Sequence, residues 1–143
     1  THATSDMYWA GDRLGADRLG GAYAWKSILR SGARLACGSD FPVEDADPRA
    51  GIADAEERTP RGGPAFSPEE RIGRPEALHA FTRGAAFAAF AEGRRGVVRE
   101  GLDADLTVFA GDVVTCTAAE LRELRVTHAV VGGRVEWVAG GAR

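Results

Sequence analysis

The 143-residue sequence lacks several features that would place it in a specialised class. No apolar run approaches the roughly 18 residues expected of a membrane-spanning helix, so no membrane partner is predicted. The two cysteines, Cys37 and Cys116, are far apart and form no CxxC pair, which argues against a zinc knuckle or a disulfide framework. Lys26 is the only lysine, and 18 basic against 21 acidic residues leave a net charge of −3. Without clustered cations, no nucleic-acid partner is predicted.

Four common catalytic motifs are also missing: GxGxxG, GxxxxGK[ST], GxSxG and HExxH. The dinucleotide-binding, P-loop, α/β-hydrolase and zincin classes therefore have no motif support. The chain opens with Thr1-His2-Ala3-Thr4, without an initiator methionine or a visible secretion signal. We therefore expect a fragment of a longer, cytoplasmic protein.

The N-terminal part carries the pattern of an α/β repeat. With 44% hydrophobic residues, the chain can bury a core of one domain's size. Apolar residues at helical spacing predict a helix over residues 20–31, followed by Gly32 at a position that favours positive φ. Residues 33–37 are short, mostly apolar and bounded by glycine, which predicts a buried strand. The strand would end at Gly38-Ser39-Asp40, completing the αβ half of a parallel repeat.

Residues 41–68 are rich in proline, glycine and acidic residues, and they predict a long loop with one short helical turn near 51–57. A loop of this length is either a functional lid or binding surface, or simply a mobile connection. Pro75 then predicts the first turn of a helix that ends near Glu92-Gly93. Its expected buried residues are Leu78, Phe81, Ala85 and Ala88 or Ala89.

The C-terminal part has the pattern of short strands. Residues 97–98 and 105–109 are strand-like, and Thr117 with Glu120 predicts a capping box that begins a short helix. Residues 126–131 and 134–138 predict a hairpin around the Gly132-Gly133 turn. We place a domain boundary near Arg94, which divides the chain into residues 1–94 and 95–143.

Asp40 is the strongest candidate for chemistry. It follows the carboxyl end of a predicted strand, where α/β sheets and barrels carry catalytic groups. Its carboxylate can bind a metal or accept a proton. The alternative is that Ser39 or Asp40 simply caps a turn before Pro42. His2 with Asp6 is a second candidate pair, able to ligate a metal or hold a substrate, or merely solvated. We interpret His79 as a solvated residue, His128 as a structural residue and Cys37 as a small buried apolar residue.

The sequence resembles the amidohydrolase superfamily, in particular the YtcJ-like, N-substituted formamide deformylase-like branch. The resemblance spans nearly the whole chain in the right order. Its most specific motif is GSDFPVE at residues 38–44. The other matching segments are Thr1-His2-Ala3, Ser5-Asp6-Met7, Asp12-Arg13-Leu14-Gly15, Asp47-Pro48, Gly51-Ile52, Pro75-Glu76-Ala77-Leu78, Thr82-Arg83-Gly84-Ala85-Ala86, Gly96, Glu100-Gly101, Ala104-Asp105-Leu106 and Val131-Gly132-Gly133-Arg134-Val135.

This resemblance implies a fold of class α/β. Residues 1–94 would be the last strands and helices of a (β/α)8 TIM barrel, and residues 95–143 would be part of a small β-sandwich domain. It implies that Asp40 is a metal ligand and proton shuttle, and that His2 and Asp6 lie in the substrate pocket. The cofactor would be a divalent metal, zinc by preference, whose other ligands this chain does not contain.

Two functions are therefore open. In the first, the chain is the C-terminal fragment of a metal-dependent hydrolase that cleaves amide-type carbon–nitrogen bonds in a small-molecule substrate, and the fragment alone is inactive. In the second, it is a non-catalytic fragment or degenerate paralogue that acts only as a folding or association module. The expected partners are the missing N-terminal part of the same protein and, as the resemblance allows, a second copy in a homodimer.

Overall fold

A computed structural model describes residues 1–59 and 63–141. Within them, short helices surround a central helix, and a small antiparallel sheet follows. The helices are α1 (His2–Ser5), α2 (Met7–Leu14), α3 (Ala16–Leu19), α4 (Trp25–Arg30), α5 (Pro48–Glu57), α6 (Arg74–His79), α7 (Ala85–Ala88) and α8 (Ala118–Glu123). A 3-10 turn forms at Pro68–Glu70, and a π-helical segment at Ala80–Gly84 joins α6 to α7. The strands are β1 (Leu106–Phe109), β2 (Val126–Val131) and β3 (Arg134–Val138).

The central helix α5 (Pro48–Glu57) lies within the predicted long loop. Asp47 caps its N-terminus by accepting a 2.9 Å hydrogen bond from the Arg49 amide, and Pro48 occupies the first turn. Such a Pro at the helix start is favourable because its missing N–H would have had no partner. The prediction of a single turn near 51–57 was therefore too short. Residues 60–62, also part of the predicted loop, lie outside the described residues.

The hydrophobic core is built on α5. Its buried residues pack against α6 and α8, and the cluster consists of Ile52, Ala53, Ala55, Ile72, Ala77, Ala118 and Leu121. The predicted capping box at α8 is confirmed, since Thr117 accepts from the Glu120 amide and the Glu120 carboxylate accepts from the Thr117 amide at 2.8 Å. Helix α8 thus begins where the sequence predicts and closes one side of the core.

Residues 33–37 are not a strand, contrary to the prediction. The segment is extended, and its Cys37 amide donates a 3.1 Å hydrogen bond to the carbonyl of Ala80. Leu35 and Cys37 are half-buried, whereas Arg34 and Ala36 are exposed. The described part of the chain offers this segment no neighbouring strand to pair with, so its apolar pattern does not become a ladder.

The predicted helix from Pro75 forms but ends at Ala88. Of its expected buried residues, Leu78 and Phe81 are half-buried against the core, and Ala85 is half-buried. Ala77, Ala80, Gly84 and Ala86 are buried, whereas Ala88 and Ala89 are exposed. The π-helical segment accounts for the exposure of Ala88 and Ala89, because an extra residue per turn rotates every later side chain around the axis. His79 is exposed, as predicted.

The sheet has the order β1-β2-β3 and is antiparallel throughout. The predicted hairpin is confirmed: Gly132 and Gly133 both have positive φ, 55° and 79°, which a side chain would disfavour. Residues 97–98 are not a strand. None of the described helices combines the length and apolar character needed to cross a membrane.

Candidate active site

Asp40 lies on the surface, at the start of a tight turn that follows the extended segment. Its φ of 51° is left-handed, which is uncommon for a residue with a side chain. The turn is closed by the backbone: the Val43 amide donates to the Asp40 carbonyl at 2.9 Å, and the Glu44 amide donates to the Ser39 carbonyl at 3.3 Å. The Asp40 side chain is exposed and does not close the turn.

Glu44, the last residue of the GSDFPVE motif, connects this turn to α1. Its Oε1 accepts a hydrogen bond from the Ser5 hydroxyl at 2.5 Å. This hydrogen bond holds the pKa of the Glu44 carboxyl below its usual value, against the opposing effect of burial. The helix that carries His2 is thereby fixed beside the turn that carries Asp40.

His2 lies at the start of α1, half-buried, in the wall of a cavity of about 240 Å³. The cavity is mainly apolar and contains three aromatic side chains. It is lined by Thr1, His2, Tyr23, Trp25, Leu35, Ala36, Cys37, Gly38, Gly51, Ala55 and Phe81. The structure therefore brings His2 against the segment that leads to Asp40, but Asp40 itself is not among the lining residues. Cys37 is half-buried in this wall, and burial raises the pKa of its thiol.

Asp6 is not among the residues that line the cavity. It contacts Tyr23, a lining residue, whose hydroxyl donates a hydrogen bond to Oδ2 of Asp6. Burial, aided by this hydrogen bond and the charge of Asp6, raises the pKa of Tyr23 to about 12. The phenol therefore stays protonated at neutral pH and remains a donor. Sequence reasoning missed Tyr23, because residues 20–31 were predicted as one helix; α4 begins only at Trp25, and Tyr23 has a left-handed φ of 53°.

The described residues do not form a metal centre by themselves. Among residues 1–59 and 63–141, no group of three or more His, Cys, Asp or Glu side chains is placed to hold a metal ion. A zinc site needs three or four protein ligands, and Asp40 can supply one carboxylate oxygen. The donor chemistry of Asp40 thus fits one ligand of a divalent ion, and any further ligands would have to come from outside the described residues.

His128 lies in β2, half-buried, with its Nδ1 3.1 Å from the hydroxyl of Thr127. This position in the sheet agrees with its interpretation as a structural residue. It does not line the cavity that contains His2.

Comparison with known proteins identifies the family of this chain. A model of the amidohydrolase family matches residues 1–136. This chain belongs to the amidohydrolase family. It is 38% identical over 134 residues to YtcJ of Bacillus subtilis (strain 168), whose name classes it as an amidohydrolase, a match that covers 92% of this chain and 25% of YtcJ.

Two further matches agree. The N-substituted formamide deformylase of Arthrobacter pascens is 31% identical over 117 residues, covering 82% of this chain and 22% of that enzyme. A crystal structure of a metal-dependent hydrolase from Pyrococcus furiosus aligns with a TM-score of 0.59 and 34% identity, over 71% of this chain and 20% of the other. The chain therefore spans a quarter or less of the length of these relatives.

Proposed function

We propose that this chain is the C-terminal part of a metal-dependent hydrolase that cleaves amide-type carbon–nitrogen bonds in small molecules. The observation that carries the proposal is the exposed, left-handed Asp40 within the GSDFPVE motif, in a chain matched by the amidohydrolase family over residues 1–136. The names of the similar proteins, an amidohydrolase, a formamide deformylase and a metal-dependent hydrolase, support the same reaction class.

We extend the proposal to the fold of the complete protein. Residues 1–94 would belong to the end of a (β/α)8 barrel and residues 95–143 to a small β domain. The alignment with the Pyrococcus furiosus hydrolase supports this, as does the position of β1, β2 and β3 after residue 94. In that setting, residues 33–37 would gain a strand partner from the rest of the barrel.

Asp40 would act in two ways. One carboxylate oxygen would hold a divalent ion, zinc by preference, together with ligands from outside this chain. Such an ion, when bound, polarises the substrate carbonyl and makes water more acidic. The Asp40 carboxylate accepts the proton of the attacking water and passes it to the leaving nitrogen. His2 and the Tyr23–Asp6 pair would contact the substrate beside the cavity.

The experiment compares Asp40→Ala, Asp40→Asn and Asp17→Asn in the complete protein, with formanilide as the substrate and aniline release as the measurement. Asp17 is an exposed carboxylate on α3 and serves as the matched control. Loss of a general acid–base group costs roughly 10²–10⁴-fold in rate, so both Asp40 variants should lose at least about 100-fold. Metal content, measured by mass spectrometry, should fall in Asp40→Ala.

An amide can contact a metal but cannot accept the proton, so Asp40→Asn separates the two roles. If Asp40→Asn keeps most of the wild-type rate, the proton-transfer role is wrong. If it keeps its metal but loses the rate, the proton-transfer role is supported.

A non-catalytic association module is the second candidate function. It is favoured by apolar surface: the side chains of Phe90 and Val98 are 94% and 86% exposed. An apolar groove of about 960 Å³ also runs between the π-helical segment with α7 and the sheet. Metal analysis of the complete protein separates the candidates, because an active hydrolase should carry metal near stoichiometrically and an association module should carry almost none.

A further inference from the structure

Arg58 is completely buried, although arginine is rarely found without access to solvent. It ends α5 in a left-handed conformation, with φ of 51°. Its Nε donates to the Phe66 carbonyl at 2.7 Å, and its Nη1 donates to the Tyr23 carbonyl at 2.9 Å. One side chain thus connects the end of α5 to Phe66, eight positions later, and to Tyr23, 35 positions earlier.

The Arg58 guanidinium also lies among aromatic rings. Its Cζ is 4.8 Å from the centroid of the Trp25 ring and 5.6 Å from that of Phe66. Tyr23 contacts both rings edge-on, with centroid distances of 6.3 Å and 6.1 Å. Cation–π contacts of this kind gain strength when they are removed from water.

Arg58 is costly to bury. Burial lowers the pKa of its guanidinium, against the opposing charge of Glu70. Its Nη2 has no hydrogen-bond partner among the described residues. A side chain that only filled space at this position would be more favourable if it were apolar, since an unpaired buried donor is destabilising.

Two residues that Arg58 holds are walls of the cavity beside His2, namely Tyr23 and Trp25. Tyr23 is in a left-handed conformation that its backbone would not favour alone. It is held at both ends, at its carbonyl by Arg58 and at its hydroxyl by Asp6. Removal of the Arg58 contact would free the backbone end of this residue.

We propose that Arg58 is a positioning residue, which fixes Tyr23 and Trp25 as a rigid wall of the substrate cavity and keeps the Tyr23 hydroxyl on Asp6. It acts on substrate affinity and does not take part in the chemical step. This inference rests on the proposed function only in treating the cavity as part of the substrate site.

The test compares Arg58→Met, Arg58→Lys and Arg74→Met in the complete protein. Arg74 is the matched control, because it is also buried and also bonds a backbone carbonyl, that of Val113 at 2.6 Å, but it does not line the cavity. The first measurement is ¹⁹F NMR of 3-fluorotyrosine placed at position 23, followed through an alkaline titration. The second is KM and kcat for formanilide.

In Arg58→Met, the titration midpoint of residue 23 should fall by about one pH unit, because the phenol becomes solvated and leaves Asp6. KM should rise about tenfold while kcat stays within about twofold. This is the pattern expected when the lost interaction stabilises the bound substrate and the transition state equally. Arg58→Lys keeps a donor for one carbonyl and should give a smaller shift in the same direction. Arg74→Met should lower Tm and leave the resonance and KM unchanged.

A purely structural role predicts that Arg58→Met and Arg74→Met change the titration midpoint of residue 23 and the KM alike. That result would overturn the inference. If Arg58→Met does not fold, the test relies on Arg58→Lys. An unchanged titration midpoint of residue 23 in Arg58→Lys overturns the inference, and a lowered midpoint supports it. A further outcome is that the wild-type protein fails to hydrolyse formanilide while only the Arg58 variants lower the titration midpoint of residue 23. In that case the positioning role stands and the proposed function fails for that substrate.

Discussion

Arg122 of α8 and Asp54 of α5 form an ion pair, with Nη2 of the arginine 2.7 Å from Oδ1 of the aspartate. The other carboxylate oxygen of Asp54 accepts a 2.6 Å hydrogen bond from the hydroxyl of Thr4 on α1. The Asp54 side chain is only 10% exposed. A single carboxylate therefore joins the N-terminal helix, the central helix and a helix from the C-terminal part.

Removal of the Arg122 charge should destabilise the protein, because Asp54 would stay buried without its nearest cation. Breaking a buried ion pair costs about 3–5 kcal/mol, and we expect Arg122→Leu to lose about 3 kcal/mol in urea unfolding since the pair is partly solvated. Arg125→Leu, at an exposed position nearby, is the control and should change stability by less than about 0.5 kcal/mol. A near-neutral Arg122→Leu would show that the pair is not important for stability.

Glu70 should make stability depend on pH in the acid range. It is buried and accepts hydrogen bonds from the Ser27 hydroxyl and amide, at 2.5 Å and 2.8 Å, and these hold its pKa below the ordinary value of 4.5. The lowered pKa means that the folded state favours the carboxylate. Its stabilisation is therefore complete above pH 4.5 and is lost as the pH falls through the lowered value.

Glu70→Gln tests this dependence in urea unfolding at pH 7 and pH 3. At pH 7 the variant should be less stable by about 1.5–3 kcal/mol, the contribution of a hydrogen bond to a charged group, and at pH 3 the difference should shrink. Glu69→Gln, at the exposed neighbouring position, should match the wild type at both pH values. An equal loss at pH 7 and pH 3 would contradict the assignment.

Gly84 should not tolerate a side chain. A Cβ at this position would lie 2.2 Å from the carbonyl oxygen of Leu35, so the extended segment and the π-helical segment would have to separate. Gly84→Ala should cost about 1–3 kcal/mol, the range for overpacking, as measured by thermal unfolding. Gly93→Ala is the control, because a Cβ there meets no atom within 4 Å. Similar Tm values for the two variants would show that the close approach is not important.

The 143-residue chain on its own should associate in solution. Its exposed apolar side chains, Phe90 and Val98 foremost, favour burial against another chain. Size-exclusion chromatography with light scattering should give a mass above that of the monomer, and Phe90→Asp with Val98→Asp should lower it. A wild-type chain that elutes as a monomer and melts cooperatively would contradict this expectation.

Local patterns predicted most of the C-terminal elements, although residues 97–98 are not a strand. The Thr117–Glu120 capping box and the Gly132-Gly133 turn depend on contacts between residues a few positions apart, and both form where the sequence indicates. Family membership was likewise readable from short motifs in the right order, GSDFPVE above all. Asp40 was recognised in this way, and its catalytic role stays a prediction.

The elements that depend on distant contacts could not be predicted in the same way. The glycine and acidic residues of the segment after Pro48 obscured a helix whose buried face is defined only by packing against α6 and α8. The apolar segment 33–37 had the pattern of a strand, but a strand also needs a partner, which the described residues do not provide.

The capping box, the glycine turn and the family were readable from residue types at short, fixed spacing. The burial of Arg58 among Trp25, Phe66 and Tyr23, and the hydrogen bond from Tyr23 to Asp6, depend instead on how the folded segments pack. Tyr23 is 35 positions from Arg58 and 17 from Asp6, separations at which no periodic pattern specifies a contact. Such contacts arise when folded segments meet, since burial then selects the hydrogen-bond partners that remain within reach.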